Sequence, residues 1–370
     1  MRTVAVIGAG IIGAATAWHL ARTGNRVVVL DRAPAPAAGA SGASFSRATA
    51  FGKAPRDYFR LNQAGLAELH RLHAEGVPGF HPCPSLVWTD DAGGLDDAVA
   101  MARARGYDAA CARPPALGGA VDPGALPGRV ALLPGEGWVD LPAMTAWMLG
   151  QAGRHGAEIR LATEVTGLHG DGVRTVVPAR GPAVAADVVV NAAGAGGRDI
   201  AELAGRCLPL RPTRGLLADV AVPGGLDVML LAPGVSIRPA GPDTVRVRAD
   251  EVDDRLNGAA AAGACVSALV GELAGELAER AAALLPGVRR GRPGAVRVGV
   301  RAYPADGRSS VGAPAGTPGY YEAVTHSGAT LGPLLGRLAA QEITSGDRDP
   351  LLAPYPPDRF PAGVQHRRAS

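Results

Sequence analysis

Residues 4–32 read VAVIGAGIIGAATAWHLARTGNRVVVLDR, and no other stretch constrains the fold as tightly. Residues 4–7 form a short β-branched apolar run, the pattern of a strand buried on both faces. Gly8-x-Gly10-x-x-Gly13 follows at once, and Ile11 and Ile12 open a helical pattern that runs to about residue 22. Gly24 stops the helix. A second apolar strand over 26–30 ends at Asp31, with Arg32 next. The three glycines play distinct physical parts. Gly8 makes the tight turn, Gly10 lets a pyrophosphate approach the backbone, and Gly13 lets helix and strand pack closely. The helix start offers free N–H groups and a positive dipole end to phosphates. Asp31 is placed to accept hydrogen bonds from an adenosine ribose. A glycine triplet alone decides little in a chain with 52 glycines. Strand, triplet, helix, strand and acid in this order predict a dinucleotide-binding βαβ unit, which leaves FAD and NAD both open.

Length allows two domains, or one with a large insertion, since the chain has 370 residues. At 47% hydrophobic and 19% charged it is set for a sizeable core rather than disorder. Net charge is +3, carried almost wholly by arginine, with Lys53 the only lysine. No basic block points to nucleic acid. Cys83, Cys111, Cys207 and Cys265 are scattered without metal-type spacing or a disulfide framework. The N-terminus lacks the basic region of a signal sequence, and no window reaches a charge-free membrane-spanning length. A cytoplasmic protein with no membrane, nucleic-acid or metal partner is expected.

After Asp31 the composition turns to Pro, Ala, Gly and Ser, a loop before a helix predicted over 56–74. Residues 78–134 read as irregular, with a short strand at 86–89. A helix is expected over 141–153 and strands over 158–161, 165–168 and 187–190. Segments 214–220, 228–231, 235–238 and 244–248 resemble antiparallel strands separated by Gly/Pro turns. One long helix is expected over 259–285, then a strand at 320–324 and a helix from about 331 to 343. The order predicts a nucleotide-binding domain from three segments (1–76, 140–205, 296–370), interrupted by a substrate domain (77–139, 206–295).

Collinear motifs extend this picture. The chain resembles the superfamily of FAD-dependent D-amino acid oxidase, glycine oxidase and sarcosine oxidase over nearly its whole length. GASGAS at 39–44, with Ser41 and Ser44, is similar to the family segment beneath the flavin. Thr163-Glu164-Val165 resembles the segment that holds the adenine at Val165, and VVVNAAGAGG at 188–197, with Ala193 and Gly194, the second nucleotide motif. Residues 209–215 resemble the Arg-Gly crossing into the substrate domain. Arg301-x-x-x-x-Asp306-Gly307, then Ser327, Gly328, Ala329, Thr330 and Leu331, resembles the C-terminal flavin and substrate signature. The implied fold is α/β (α+β overall): a Rossmann-like FAD domain of the glutathione-reductase type with an interrupting, mostly antiparallel substrate domain.

The resemblance assigns Arg301 to a substrate carboxylate, which a guanidinium fork matches bidentately. Ala302 stands where the family commonly has proline. Gly299 occupies the position of the sarcosine oxidases' flavin-linking cysteine, so FAD is expected to be non-covalent. Ser236 matches a tyrosine near the carboxylate in glycine oxidase. Arg246 falls near a lysine that assists oxygen reduction in sarcosine oxidases, and it shares a strand face with Arg248. His326 is expected to shape its turn rather than act as a base. The implied reaction is hydride transfer from the α-carbon of an amino acid or N-substituted glycine to flavin N5. The imine is hydrolysed and O2 becomes hydrogen peroxide. A dehydrogenase or N-dealkylase with another acceptor, or a catalytically silent flavin-binding partner protein, are the alternatives, and homo-oligomerisation stays open.

Overall fold

The structure is a computed structural model that describes residues 1–117, 120–170, 175–288 and 292–360. The end of the third nucleotide segment, 361–370, lies outside the described residues. Two sheets dominate. The first has six strands in the order Ser310–Gly312, Tyr320–Val324, Val188–Asn191, Thr3–Ile7, Arg26–Leu30, Glu158–Arg160. All neighbours are parallel except the edge pair of Ser310–Gly312 with Tyr320–Val324. Its central strands are continuous apolar runs because both faces are covered. Val4, Val6, Val27 and Val29 face a core with the helices, whereas Ala5, Ile7, Val28 and Leu30 face a second core with Val165, Leu168 and Val176. Each such buried valine contributes about 1.5–3 kcal/mol relative to exposure.

On the helical side, Ile11–Arg22 packs against Leu141–Arg154 and Gly328–Ser345. The last contact is backbone-close. A Cβ on Gly336 would lie 2.4 Å from the Ala15 Cβ, and one on Gly332 would lie 2.7 Å from the Ile11 Cγ1. These glycines bring two helix starts side by side at the end of the sheet where ligands bind in open α/β folds.

The second sheet has eight strands, ordered Val296–Pro304, Leu210–Ala221, Thr244–Arg248, Val235–Gly241, Met229–Ala232, Ser85–Val87, Val130–Leu133, Ala110–Ala112. It is antiparallel apart from the pair Met229–Ala232 and Ser85–Val87. Alternation sorts its residues between two faces. Leu216, Ala218, Val235, Ile237, Val245 and Val247 pack against Leu256, Leu273 and Leu277 of the helices Asp250–Ala261 and Val266–Ala282. Leu217, Asp219, Ser236, Arg238, Arg246 and Arg248 therefore lie on the opposite face, toward the first domain's loops.

Several elements differ from the sequence reading. The long helix expected over 259–285 is two helices, because Gly263 adopts a left-handed φ of +72° between them. The stretch read as irregular contains a helix, Ala92–Ala104, capped by Asp91 through Gly94 N at 3.0 Å. Its start, Ala92-Gly93-Gly94, masked the buried Leu95, Val99 and Ala102 face. Val296–Pro304 is an unforeseen edge strand, and the last helix begins at Gly328 rather than residue 331.

Candidate active site

Between the two sheets runs a cleft of about 1270 Å³, larger than the roughly 300–1,000 Å³ of an ordinary ligand pocket. Gly8, Gly10, Ile11, Ile12, Asp31 and Arg32 line one end. Ser41, Ser44, Ala193, Gly194, Ser327, Gly328, Ala329 and Thr330 line it as well. Ser236 and Arg301 line it from the second sheet. Val165 lies instead in a small adjoining pocket with Thr163, Glu164, Asp31 and Ala193.

The glycine loop has the shape its motif requires. Gly8 sits at φ +113°, and a Cβ there would meet the Ala192 carbonyl oxygen at 2.3 Å. Gly10 opens to the cleft, where a Cβ would come within 3.2 Å of the Ser41 Oγ. Asp31 is occupied from within the chain: its carboxylate accepts from Ala9 N at 2.6 Å and Ala33 N at 2.8 Å. It thereby fixes the turn as well as facing the cleft. Ile11 N donates to Ser41 Oγ at 3.1 Å, joining the segment 39–44 to the helix start.

Neither helix start on the cleft has a capping side chain, although helix N-termini normally recruit one. Gly10 has no side chain to offer, and Ser327 turns its hydroxyl to Tyr58 OH at 2.6 Å. Two positive dipole ends thus face one cleft with the Ser41 hydroxyl on Ile11 N as the acceptor at the first of them, an arrangement that suits an anionic diphosphate and an electron-accepting ring. The donor set fits FAD.

Besides Val165, three predicted contacts fall outside the cleft lining. Gly13 supports the turn from behind, where a Cβ would lie 1.9 Å from the Gly8 carbonyl oxygen. Leu331 is fully buried in the helical core. Arg246 is paired within the protein: it donates to Asp219 at 2.7 and 3.0 Å and to the Ser44 carbonyl at 3.4 Å. Asp219, on the neighbouring strand, also pairs with Arg297 at 2.5 Å. Beside it, Arg238 is 2% exposed, lies over the Trp138 ring at 4.4 Å, and donates to the Phe45 carbonyl. Burial pushes its guanidinium down to about 9, with Arg246 adding to the effect. Both arginines fasten the 44–45 backbone to the substrate sheet.

Arg301 reaches the cleft from the edge strand, 37% exposed, with Nη2 held by Asp253 at 2.6 Å. Asp253 is buried and also accepts from Leu216 N at 2.8 Å and Arg248 at 3.1 Å. Gly215 makes room, since a Cβ there would lie 2.6 Å from Arg301 Nη2. His326 packs against Tyr303 at 4.3 Å between ring centroids, and its Nε2 lies 3.2 Å from Tyr58 OH. Burial, then Lys53 and Arg301, push its pKa down to about 4, so the imidazole is neutral near pH 7.

Sequence reasoning missed Tyr58, Tyr303, Lys53 and Glu136. Glu136 is fully buried and accepts from Arg47 Nε at 2.7 Å, Ser85 Oγ at 2.6 Å, Tyr107 OH at 2.8 Å and Thr49. It anchors the 47–53 segment, and nothing in its Pro-Gly-Glu-Gly surroundings marks it. Lys53, as the single lysine, carried the one available signal.

A model of the FAD dependent oxidoreductase (DAO) family matches residues 3–342, and the chain belongs to that family. It is an oxidoreductase whose cofactor is FAD. Among curated relatives, one component of the anaerobic glycerol-3-phosphate dehydrogenase of Escherichia coli (strain K12) is 35% identical over 136 residues, 32% of this chain and 25% of that protein. The matched stretch thus spans about a quarter of that relative's length. The crystal structure of glycine oxidase from Geobacillus kaustophilus superposes with a TM-score of 0.78 at 21% identity, covering 96% of this chain and 98% of the other. L-amino acid deaminase from Proteus vulgaris gives 0.79 at 18%, covering 97% of each. These likenesses are of fold. No helix among the described residues is long and apolar enough to cross a membrane.

Proposed function

We propose that the protein is a glycine oxidase-like enzyme that oxidises an amino acid or N-substituted glycine. One observation carries the reading: Arg301 stands in the flavin cleft with its orientation fixed by Asp253. The chemistry FAD supplies when bound is acceptance of a hydride from the carbon bearing nitrogen, with water hydrolysing the imine and O2 taking the electrons as hydrogen peroxide. The chain's own residues orient and select. One Arg301 amino group is tied to Asp253, and the rest of the fork is left for a substrate carboxylate. Ser236 and Tyr303 line the same cleft. The neutral His326 holds Tyr58 and, through it, the start of the last helix. Gly299 supports non-covalent FAD, because even a Cβ there would lie 2.3 Å from the Ala43 carbonyl oxygen. A domain division at 76/77, 139/140 and 205/206 is proposed in keeping with sheet membership, whereas the boundary expected at 295/296 is not, because Val296–Pro304 pairs with Leu210–Ala221 in the second sheet.

Anaerobic flavin reduction tests the reading. Removing one partner of a partly desolvated charge pair costs about 3–5 kcal/mol, so Arg301→Ala is expected to lower kcat/KM by on the order of two to three decades. Arg301→Lys should recover part of it, and FAD should stay bound. A wild type that reduces as fast with the amide or ester as with the acid, or a normal Arg301→Ala, overturns the carboxylate clamp. The identity to part of a dehydrogenase favours one second reading, an acceptor other than O2. Reoxidation of the reduced enzyme in air, compared with a quinone or dye, separates the two.

A further inference from the structure

Ion pairing sorts the cations of the cleft. Arg47 is tied to the buried Glu136, Arg248 to Asp250 and Asp253, and Arg301 to Asp253. Two cleft cations, Arg32 and Lys53, take part in no ion pair among the described residues, and of these Arg32 is exposed beside Asp31 whereas Lys53 is half-buried. The acids of the cleft do not serve it. Asp31 is held by backbone N–H groups at the nucleotide end, Asp199 lies against the adjoining small pocket, Asp250 is on Arg248, and Asp90 is exposed. Glu136 lies close enough to raise the Lys53 pKa, yet burial and Arg47 outweigh it and leave the ammonium below its ordinary value.

Lys53 is nonetheless firmly presented. Its own N–H closes a turn on the Ala50 carbonyl at 3.1 Å, with Gly52 at φ +71°. Just before it, Thr49 N donates to Thr330 Oγ1 at 3.2 Å, Thr49 Oγ1 donates to Glu136, and Ala50 N donates to Tyr107 OH at 3.3 Å. The turn is pinned to the start of the last helix, where Thr330 lies, and both Lys53 and Arg301 act on the His326 imidazole. A half-buried ammonium without a counter-charge carries an unrepaid desolvation cost. An anionic group of a ligand would repay it.

We propose that Lys53 docks a second anionic group of the substrate, so that the preferred substrate is an amino acid or N-substituted glycine with two carboxylates, one on Arg301 and the other on Lys53. This rests on the amine-oxidising reading above, and two probe pairs keep the claims apart. The reactive pair, N-(carboxymethyl)glycine and N-methylglycine, differs by one carboxylate and is followed by anaerobic flavin reduction. The inert pair, oxydiacetate and methoxyacetate, is followed by calorimetry on the FAD-loaded protein. Wild type should favour the dicarboxylate of each pair by on the order of ten- to a hundredfold, the range of a hydrogen bond between charged groups. Lys53→Met should bring both ratios near unity, and Lys53→Arg should restore most of the preference. The proposal is overturned if wild type shows no dicarboxylate preference or if Lys53→Met leaves the ratios unchanged, and unchanged ratios with looser FAD would assign Lys53 to the cofactor. If neither amine reduces the flavin but the oxydiacetate preference exists and vanishes in Lys53→Met, the second anion site stands and the amine-oxidising reading fails.

Discussion

Two carboxylates decide what the arginines in and around the cleft can do. Asp219 holds Arg246 and Arg297, whereas Asp253 holds Arg248 and one amino group of Arg301. The strand alternation that places Arg246 and Arg248 on one face was readable in the sequence. Their partners were not, because Asp253 arrives from a helix and Asp219 from a neighbouring strand. His326 gives this scale its prediction. Its folded pKa, about 4, lies below its ordinary 6.5, so as pH falls the unfolded chain takes up the proton first. The stability attached to the neutral ring is therefore fully present above pH 6.5 and is lost as pH falls toward 4, at up to about 1.4 kcal/mol per pH unit. His19, buried and also lowered to about 4, acts in the same direction and remains in the variant. With FAD saturating, His326→Gln should lose less stability than wild type between pH 7 and 4.5 in denaturant titrations. Equal losses would show that His326 is not held neutral by the fold.

At the scale of elements, the site is made by two helices whose starts converge. The glycine triplet announced the first, and the turn before Gly328 announced the second. Their contact was not announced: Gly332 and Gly336 read as ordinary glycines in an Ala/Leu-rich helix until Ile11 and Ala15 are seen against them. Gly336→Val should force these helices apart, since the nearest atoms include the Ala15 backbone carbon and Thr16 nitrogen, both at 2.7 Å. Overpacking of this kind costs about 1–3 kcal/mol. Shifting a helix start should also weaken FAD retention, read as lower flavin occupancy after dialysis together with a lower Tm. A variant with unchanged Tm and occupancy would mean that the helices can separate without disturbing the cleft. The break at Gly263 and the helix Ala92–Ala104 went unread for a related reason: a glycine in an Ala-rich run can end a helix or be carried within one, and only tertiary packing chooses.

On the scale of the whole molecule, the cleft is lined from both sheets, so FAD held there would contribute to folding stability. At a hundredfold excess over Kd a non-covalent ligand adds about 2.7 kcal/mol, so Tm should rise with added FAD. Acid precipitation should leave the flavin in the supernatant, and flavin retained in the pellet would mean a covalent bond that the crowding at Gly299 argues against. The sequence by itself determined the βαβ unit, the dinucleotide, the family and, through it, FAD, because those depend on local periodicity and on glycines at fixed spacing. Only the tertiary structure decided that Arg246 pairs with Asp219, that Arg301 is tethered to Asp253, that Glu136 organises the 47–53 turn and that Lys53 meets no acid in an ion pair among the described residues. Each of those outcomes depends on which charges distant segments bring within hydrogen-bond reach, and charge pairing of that kind leaves no period or spacing in the chain.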